Sequence, residues 1–272
     1  MFKAERVLPG VTHITDAMGV SFTLAEGKNL AVLFDTGYGM EDVQAYVRTL
    51  TSKPVTVYLS HGHHDHMLGA RWFEQTLLCE EDMEEFLERT GTLQRTKVAA
   101  QAGNAGVAIP ADFMDANIPL PEKISFTETA GRFERRRENL GGTEIQVIHV
   151  PGHTPGSIIL FIPDQDLLLT GDDWNPCTWM WFPTSLAADV WRENMKAIIS
   201  TLEHETGREI RHVLCSHREN MRSGGELKGF LEFVSDEKLK KAPPIDMGAP
   251  INTHEVRKDP DGWQLIFDRD KI

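Results

Sequence analysis

The segment Ser60-His61-Gly62-His63-His64-Asp65-His66-Met67-Leu68-Gly69 places four histidines and a carboxylate in six consecutive positions. It follows an apolar, β-branched run at 55–59 that reads as a buried strand. A loop at the C-terminal end of such a strand is where open α/β sheets place their chemistry. Neutral imidazole and carboxylate suit zinc or iron, and a His-x-His pair lets two rings converge on one ion. Asp65 and His66 are then free to face a second ion. A solvated His-rich loop is the plain alternative, so the question is whether further ligands stand at comparable addresses.

Three do. Pro151-Gly152-His153-Thr154-Pro155-Gly156-Ser157 lies between two strand candidates, and its prolines and glycines hold His153 at a fixed place. By itself His153 reads equally well as a structural turn residue. Thr170-Gly171-Asp172-Asp173 follows the apolar run at 167–169; alone, Asp172 would be a turn or capping acid. His217 stands two residues beyond a strand candidate ending at Cys215. Alone it would be an ordinary surface histidine.

The rest of the chain supplies alternating strands and helices. Strands are expected at 11–14, 21–24, 30–34, 55–59, 76–79, 145–150, 157–162, 167–170 and 211–215. Helices are expected at 41–50, 80–89, about 187–205 and 226–234, the third with Val190, Trp191, Met195, Ile198, Ile199 and Leu202 as its apolar stripe. This mixture argues α/β layering. The expected organisation is one domain over 1–272. Within it, 91–117 is Ala- and Gly-rich with weak periodicity, an insertion or cap whose conformation is left open. A C-terminal extension at 243–272 is expected to carry a hairpin, 251–256 with 263–267, around the Asp259-Pro260-Asp261-Gly262 turn signal.

Charge narrows the partners. Acidic residues number 41 against 28 basic ones, a formal charge of -13, a field that repels phosphate backbones and anionic membranes. Cys79, Cys177 and Cys215 are odd in number and far apart, so a disulfide framework or Cys-x-x-Cys knuckle is not expected and a reducing compartment fits best. With no signal-like apolar run near residue 1 and no membrane-length stretch, a cytoplasmic protein is expected.

The four motifs, in this order, resemble those of the metallo-β-lactamase superfamily, with spacing like that of hydrolase members such as glyoxalase II. The resemblance runs from about residue 11 to 217. It implies a four-layer αββα sandwich with two mixed sheets, outer helices and a binuclear metal site along one sheet edge. Carried over, His61, His63 and His153 would bind the first metal, Asp65, His66 and His217 the second, and Asp172 would bridge them. Asp35, in Phe34-Asp35-Thr36-Gly37, matches a supporting position that orients ligand imidazoles; a simple turn former is the alternative. Two zinc ions are favoured because flavodoxin-linked di-iron relatives carry Glu where this chain has His63, with iron or manganese as alternatives. Ser216 stands where relatives commonly have Gly. His64 has no carried-over role, and His149 reads as a satisfied histidine near the site.

The reaction so implied is attack on an ester, thioester, lactone or amide carbonyl by hydroxide held between two zinc ions, with Asp65 as proton acceptor and donor and the bridging Asp172 as the other catalytic residue. The alternatives are an iron-dependent persulfide dioxygenase-like enzyme, a phosphodiesterase or nuclease on the same fold, or a non-enzymatic metal-binding protein. Trp174, Trp179, Trp181 and Phe182 lie in a proline-bounded run read as a loop near the site, offering an apolar substrate wall or else packing. Glu134-Arg135-Arg136-Arg137-Glu138 reads as a solvated edge. The expected partner is a small molecule, with an anionic one welcome at the metals; nucleic acid and membrane are not expected, and homo-oligomerisation is left open.

Overall fold

The computed structural model describes residues 1–218, 220–258 and 262–272. Four strands open the chain, β1 (Lys3–Leu8), β2 (Val11–Thr15), β3 (Ser21–Glu26) and β4 (Ala31–Phe34), paired antiparallel in order. Helix α1 (Val43–Leu50), capped by the Asp42 carboxylate on the Ala45 amide, then carries the chain across to β5 (Val55–Tyr58), which runs parallel to β4. Helices α2 (His64–Met67), α3 (Met83–Arg89) and α4 (Thr92–Asn104) come next, with β6 (Leu77–Leu78) and β7 (Glu122–Lys123) completing a seven-stranded sheet in sequence order.

The second sheet also has seven strands: β8 (Glu128–Ala130), β9 (Phe133–Asn139), β10 (Glu144–His149), β11 (Ile158–Ile162), β12 (Leu167–Leu169), β14 (His212–Leu214) and β15 (Arg222–Ser223). A small third sheet joins β13 (Cys177–Met180) to β16 (Thr253–Arg257) and β17 (Gln264–Asp268). Helices α5 (Ala188–Thr206), α6 (Gly224–Phe233) and α7 (Asp236–Lys241) cover the outer side of the second sheet.

The layering arises from period-two side-chain alternation. Val32 and Phe34 of β4 meet Ile145, Val147, Ile158, Leu160 and Leu167 between the sheets. Ala31 and Leu33 point the other way, toward Val43, Val47 and Phe86 of the first helical layer. Ile148, Ile159, Phe161 and Leu168 likewise face Trp191, Met195, Ile198 and Phe230 on the far side. Strands buried on both faces explain the near-continuous apolar runs, and the result is the expected αββα sandwich. Truncating Trp191 or Phe230 in that outer core would cost about 3–5 kcal/mol.

One open expectation is filled in and others need correcting. Residues 91–117 contain α4, whose Val98 and Ala102 pack with Met40, Leu68 and Phe113. The buried Arg95 ties the turns on either side of this helix together by donating to the carbonyls of Thr90, Phe113 and Ala116. The basic stretch 134–138 is part of strand β9, with Glu134 and Arg137 exposed as a solvated edge would have them, but with one exception. Its Arg135 is buried and donates to Gln146 and to Glu205 of α5. The proline-bounded run after Asp172 is not all loop, because 177–180 form β13, parallel to β17. The C-terminal strands pair antiparallel, while Asp259, Pro260 and Asp261 of the turn signal lie outside the described residues.

Strand direction brings the motifs together. β10 and β12 both run antiparallel to β11, and β14 runs parallel to β12, so the three C-terminal ends share one edge. His153, Asp172 and His217 come just after those ends. Asp35 and the 60–66 segment come just after the parallel strands β4 and β5 of the other sheet. Backbone bonds tie the two edges: the Ile158 amide donates to the Ser60 carbonyl at 2.8 Å, and Ser21 to Ser216 at 2.7 Å.

Candidate metal centre

Ligand-type atoms converge there in two groups, His61 with His63 and His153, and Asp65 with His66, Asp172 and His217; within each, all lie within 4.8 Å of one another. In the first group the ring centroids of His61 lie 4.6 Å from His63 and 4.8 Å from His153. His63 Nδ1 and His153 Nε2 approach to 3.0 Å. Asp172 joins the groups: its Oδ2 is 3.0 Å from His217 Nε2, 3.3 Å from His66 Nε2 and 3.6 Å from His153 Nε2.

The far nitrogens of three of these rings are anchored, which aims the near ones at the centre. Ser60 Oγ gives its proton to Asp35 at 2.8 Å, so it accepts from His61 Nδ1 at 2.9 Å and leaves His61 Nε2 bare. His66 Nδ1 donates to Asp35 Oδ2 at 3.0 Å, and His153 Nδ1 to the Trp179 carbonyl at 2.7 Å. Asp35 also takes the Ser60 amide at 2.6 Å and adopts a positive φ of 70°, backbone strain at a residue that orients two imidazoles. Ser216 Oγ reaches the same carboxylate at 3.4 Å, so the serine in place of glycine takes part in the support.

The donor set fits a bound cation. His61 Nε2, His66 Nε2 and Asp172 Oδ1 are buried without hydrogen-bond partners, a costly arrangement unless something positive satisfies them. Burial, reinforced by the neighbouring imidazoles, holds His61 well below the ordinary histidine range, and burial with His63 brings His153 down to about 3. Both are therefore neutral, as metal binding requires. Burial alone would raise Asp172, but His217 and His66 outweigh it and hold the carboxyl well below the usual range. Asp65 is held low against the same opposition, chiefly by His66.

Two supporting acids escaped the sequence reading. Asp82 is fully buried and accepts from the Gly62 amide at 2.8 Å, Thr154 Oγ1 at 2.6 Å and the Gly156 amide at 2.8 Å. It thereby clamps the His61/His63 loop to the His153 loop. A Cβ on Gly156 would lie 2.7 Å from this carboxylate, so that glycine was a readable sign of a close partner, although nothing marked Asp82 among its acidic neighbours. Asp173 accepts the His153 amide at 2.8 Å, and burial raises its pKa well above the usual range. Gly171 takes a φ of 54°, and a Cβ there would lie 2.8 Å from Ser60 Cβ, which lets the Asp172 turn pass close to the first motif.

A cavity of about 530 Å³ opens over both groups, lined in part by Tyr38, His64, Arg89, Trp179, Trp181, Phe182 and Arg218. Trp174 does not belong to this wall. It is fully buried against Phe230 in the outer core, with its carbonyl held by Thr170 Oγ1 at 2.8 Å. His64 packs edge-on against Tyr38 at the cavity. His149 finds its partners outside the centre, with Nε2 2.8 Å from the Pro155 carbonyl. It stands near Cys79 and Glu81, where the thiol is already bonded to Glu81.

The model of the metallo-beta-lactamase superfamily matches residues 15–172, more than half of the chain. This chain belongs to the metallo-beta-lactamase superfamily. Within it, the chain is 24% identical over 151 residues to the Bacillus subtilis (strain 168) protein named "Probable metallo-hydrolase YqgX", covering 52% of this chain and 59% of the relative. It is 25% identical over 162 residues to a linear primary-alkylsulfatase of Pseudomonas sp. (strain ATCC 19151), covering 52% and 31%. The matches thus span little more than half the length of these relatives, or less. Among solved structures, the inverting sec-alkylsulfatase Pisa1 from Pseudomonas sp. aligns with a TM-score of 0.62 at 16% identity over 89% of this chain and 43% of its own. A metallo-beta-lactamase from Pontibacter korlensis aligns at 0.54, with 17% identity over 85% and 98%. At these identities the structural likenesses show the shared fold. Superfamily members bind metal ions and are mostly hydrolytic enzymes, and both named curated relatives carry hydrolytic names.

Proposed function

We propose that the protein is a binuclear zinc-dependent hydrolase of a small carbonyl substrate, an ester, thioester, lactone or amide. His61, His63 and His153 would hold one ion, Asp65, His66 and His217 the other, and Asp172 would contact both. The observation that carries this reading is the Asp172 carboxylate, placed between imidazoles of both groups at 3.0 to 3.6 Å. Bound divalent ions would supply Lewis acidity and a water that ionises near neutral pH. The chain's own part is to hold ligand lone pairs in place through Asp35, Ser60 and the Trp179 carbonyl, and to bury the first group away from bulk water. Asp65, with its Oδ2 3.5 Å from both His66 Nε2 and His217 Nε2, is positioned to exchange a proton at the cavity floor. A cytoplasmic setting belongs to this proposal, supported by three free cysteines and by the absence, among the described residues, of a helix long and apolar enough to cross a membrane.

A second reading, cleavage of a sulfate ester, is favoured by the alkylsulfatase relative together with the aromatic and arginine lining of the cavity. One panel separates them: zinc-loaded protein assayed on esters, thioesters, lactones, β-lactams, phosphodiesters and alkyl sulfates, with and without chelator. Chelator-sensitive turnover of a carbonyl substrate supports the proposal. Turnover that ignores the chelator, or is confined to sulfate or phosphate esters, overturns it.

A further inference from the structure

His61, His66 and His153 each have an anchor on the ring nitrogen that faces away from the centre. His63 is different. Its Nδ1 lies 3.0 Å from His153 Nε2, inside the first group. Its Nε2 is buried on the other side of the ring and has no hydrogen-bond partner. The nearest acid to that nitrogen is Glu85, whose Oε1 stands 3.4 Å away, within reach but off the hydrogen-bond line.

Glu85 belongs to α3 and its side chain is only 8% exposed. It comes this close because Gly62 has no side chain: a Cβ there would lie 2.8 Å from Glu85 Cβ. The same carboxylate accepts from Arg89 Nε at 2.7 Å and from Thr184 Oγ1 at 3.2 Å. Burial opposes its charge, but His63 and Arg89 bring the carboxyl down to about 2. It is therefore ionised, and an ionised carboxylate can only accept.

A neutral imidazole carries a proton on one ring nitrogen and a lone pair on the other. His153 gives its Nδ1 proton to the Trp179 carbonyl, so its Nε2 is bare and takes the Nδ1 proton of His63 across the 3.0 Å contact. A cation among His61, His63 and His153 requires a lone pair from each ring. The His63 proton then has to sit on Nε2, and a buried N–H is costly without an acceptor. Glu85 is the acceptor standing there.

Resting on the ligand set of the hydrolase reading above, we propose that Glu85 is the positioning residue of His63: it receives the Nε2 proton and so frees Nδ1 as the lone pair offered to the first ion. Filling this group then shifts one proton across a single ring. The N–H bond at Nδ1 breaks, one at Nε2 forms, and the ring stays neutral.

The test uses no substrate. Nitrogen–proton correlation spectra of the histidine rings in zinc-loaded protein, with the His63 signals identified by their loss in His63→Gln, report where the proton sits. A proton on Nε2 is expected, and one on Nδ1 overturns the proposal. A calorimetric zinc titration supplies the second readout, through its tighter phase, that of the buried first group. Glu85→Leu keeps the bulk without the acceptor and should weaken this phase by roughly 10- to 100-fold. Glu85→Gln, whose amide carbonyl still accepts, should recover most of the loss. Arg89→Met and Thr184→Val remove the other two partners of the carboxylate and should leave the phase as tight as in the parent protein. A Leu variant that binds like the parent overturns the proposal. So does a Gln variant as weak as the Leu one, or an Arg89→Met loss of the same size, since Glu85 would then only brace the fold. Zinc uptake in two phases without turnover of any substrate fails the hydrolase reading and leaves this test intact. A parent protein with no tight zinc phase overturns the proposal whatever it hydrolyses.

Discussion

The two ligand groups meet at one carboxylate but are built from different materials. His61, His63 and His153 are almost fully buried, purely imidazole, and drawn from two loops that Asp82 clamps together. The second group mixes two carboxylates with two histidines, draws on three loops, and includes His217 with a third of its side chain exposed. Its His66 is oriented by the buried Asp35 carboxylate, whereas His217 stands on a loop end with Arg218. One group is accordingly a more deeply buried socket and the other a more open seat. Two ions bound there should differ in how tightly they are held, the first more tightly.

The most damaging change to both halves is Asp172→Ala, since it alone serves each group. Chelator-sensitive turnover should fall below detection, and bound zinc, measured by elemental analysis after dialysis, should drop from two equivalents to one or fewer. Full zinc content with full turnover would show that the halves do not depend on this joint. Next come two single-ligand changes that separate the halves. His153→Ala should remove the tighter phase of a zinc titration followed by calorimetry, and His217→Ala the weaker one. Loss of the same phase from both variants would mean the groups act as one site.

A subtler change concerns support rather than ligation. Asp82→Ala leaves every ligand in place but releases the clamp on Gly62, Thr154 and Gly156. Outer supporting partners of metal ligands are worth roughly 10- to 100-fold in metal affinity, so the tighter zinc phase should weaken by that factor while the other is little altered. Equal weakening of both phases would show that Asp82 stabilises the fold generally.

The clustering of the candidate ligands was legible because their chemistry is concentrated: four histidines in one loop, and a lone His153 and Asp172 in loops held by glycine and proline. The layered fold was legible in the same way, through apolar runs that must be buried on both faces. What escaped depends on pairings far apart in sequence. Asp82 looked like any acid in Glu80-Glu81-Asp82, because its partners lie at Gly62, Thr154 and Gly156. Trp174 shares a run with Trp179 and Trp181, but its partners, Thr170 before it and Phe230 far along the chain, put it in the core. Arg135 read as solvated because the residue that neutralises it, Glu205, belongs to a helix 70 positions away.

The smallest effect lies away from the site and serves as a control. Asp166, buried at the turn after β11, accepts from Arg208 at 2.6 Å and from Arg211 at 2.8 Å. Burial opposes the charge, but the two guanidiniums hold the carboxyl below its ordinary range. A depressed folded-state pKa contributes stability above the unfolded value, near 3.9, that disappears as pH falls through the folded one. Asp166→Asn should therefore cost on the order of 1 kcal/mol at pH 7, or roughly 2–4 °C in Tm, with the gap closing below about pH 4 and zinc content unaltered. A gap that does not change with pH would contradict the assignment of that stability to the Asp166 pair.

Both the proposed reaction and the contrast between socket and seat turn on two ions sharing Asp172. Anomalous diffraction at the zinc edge, from crystals of the zinc-loaded protein, reads this out without reference to any substrate. Two peaks are predicted, one among His61, His63 and His153 and one among Asp65, His66 and His217, with the Asp172 carboxylate contacting both. A single peak, or zinc bound away from Asp172, would contradict it.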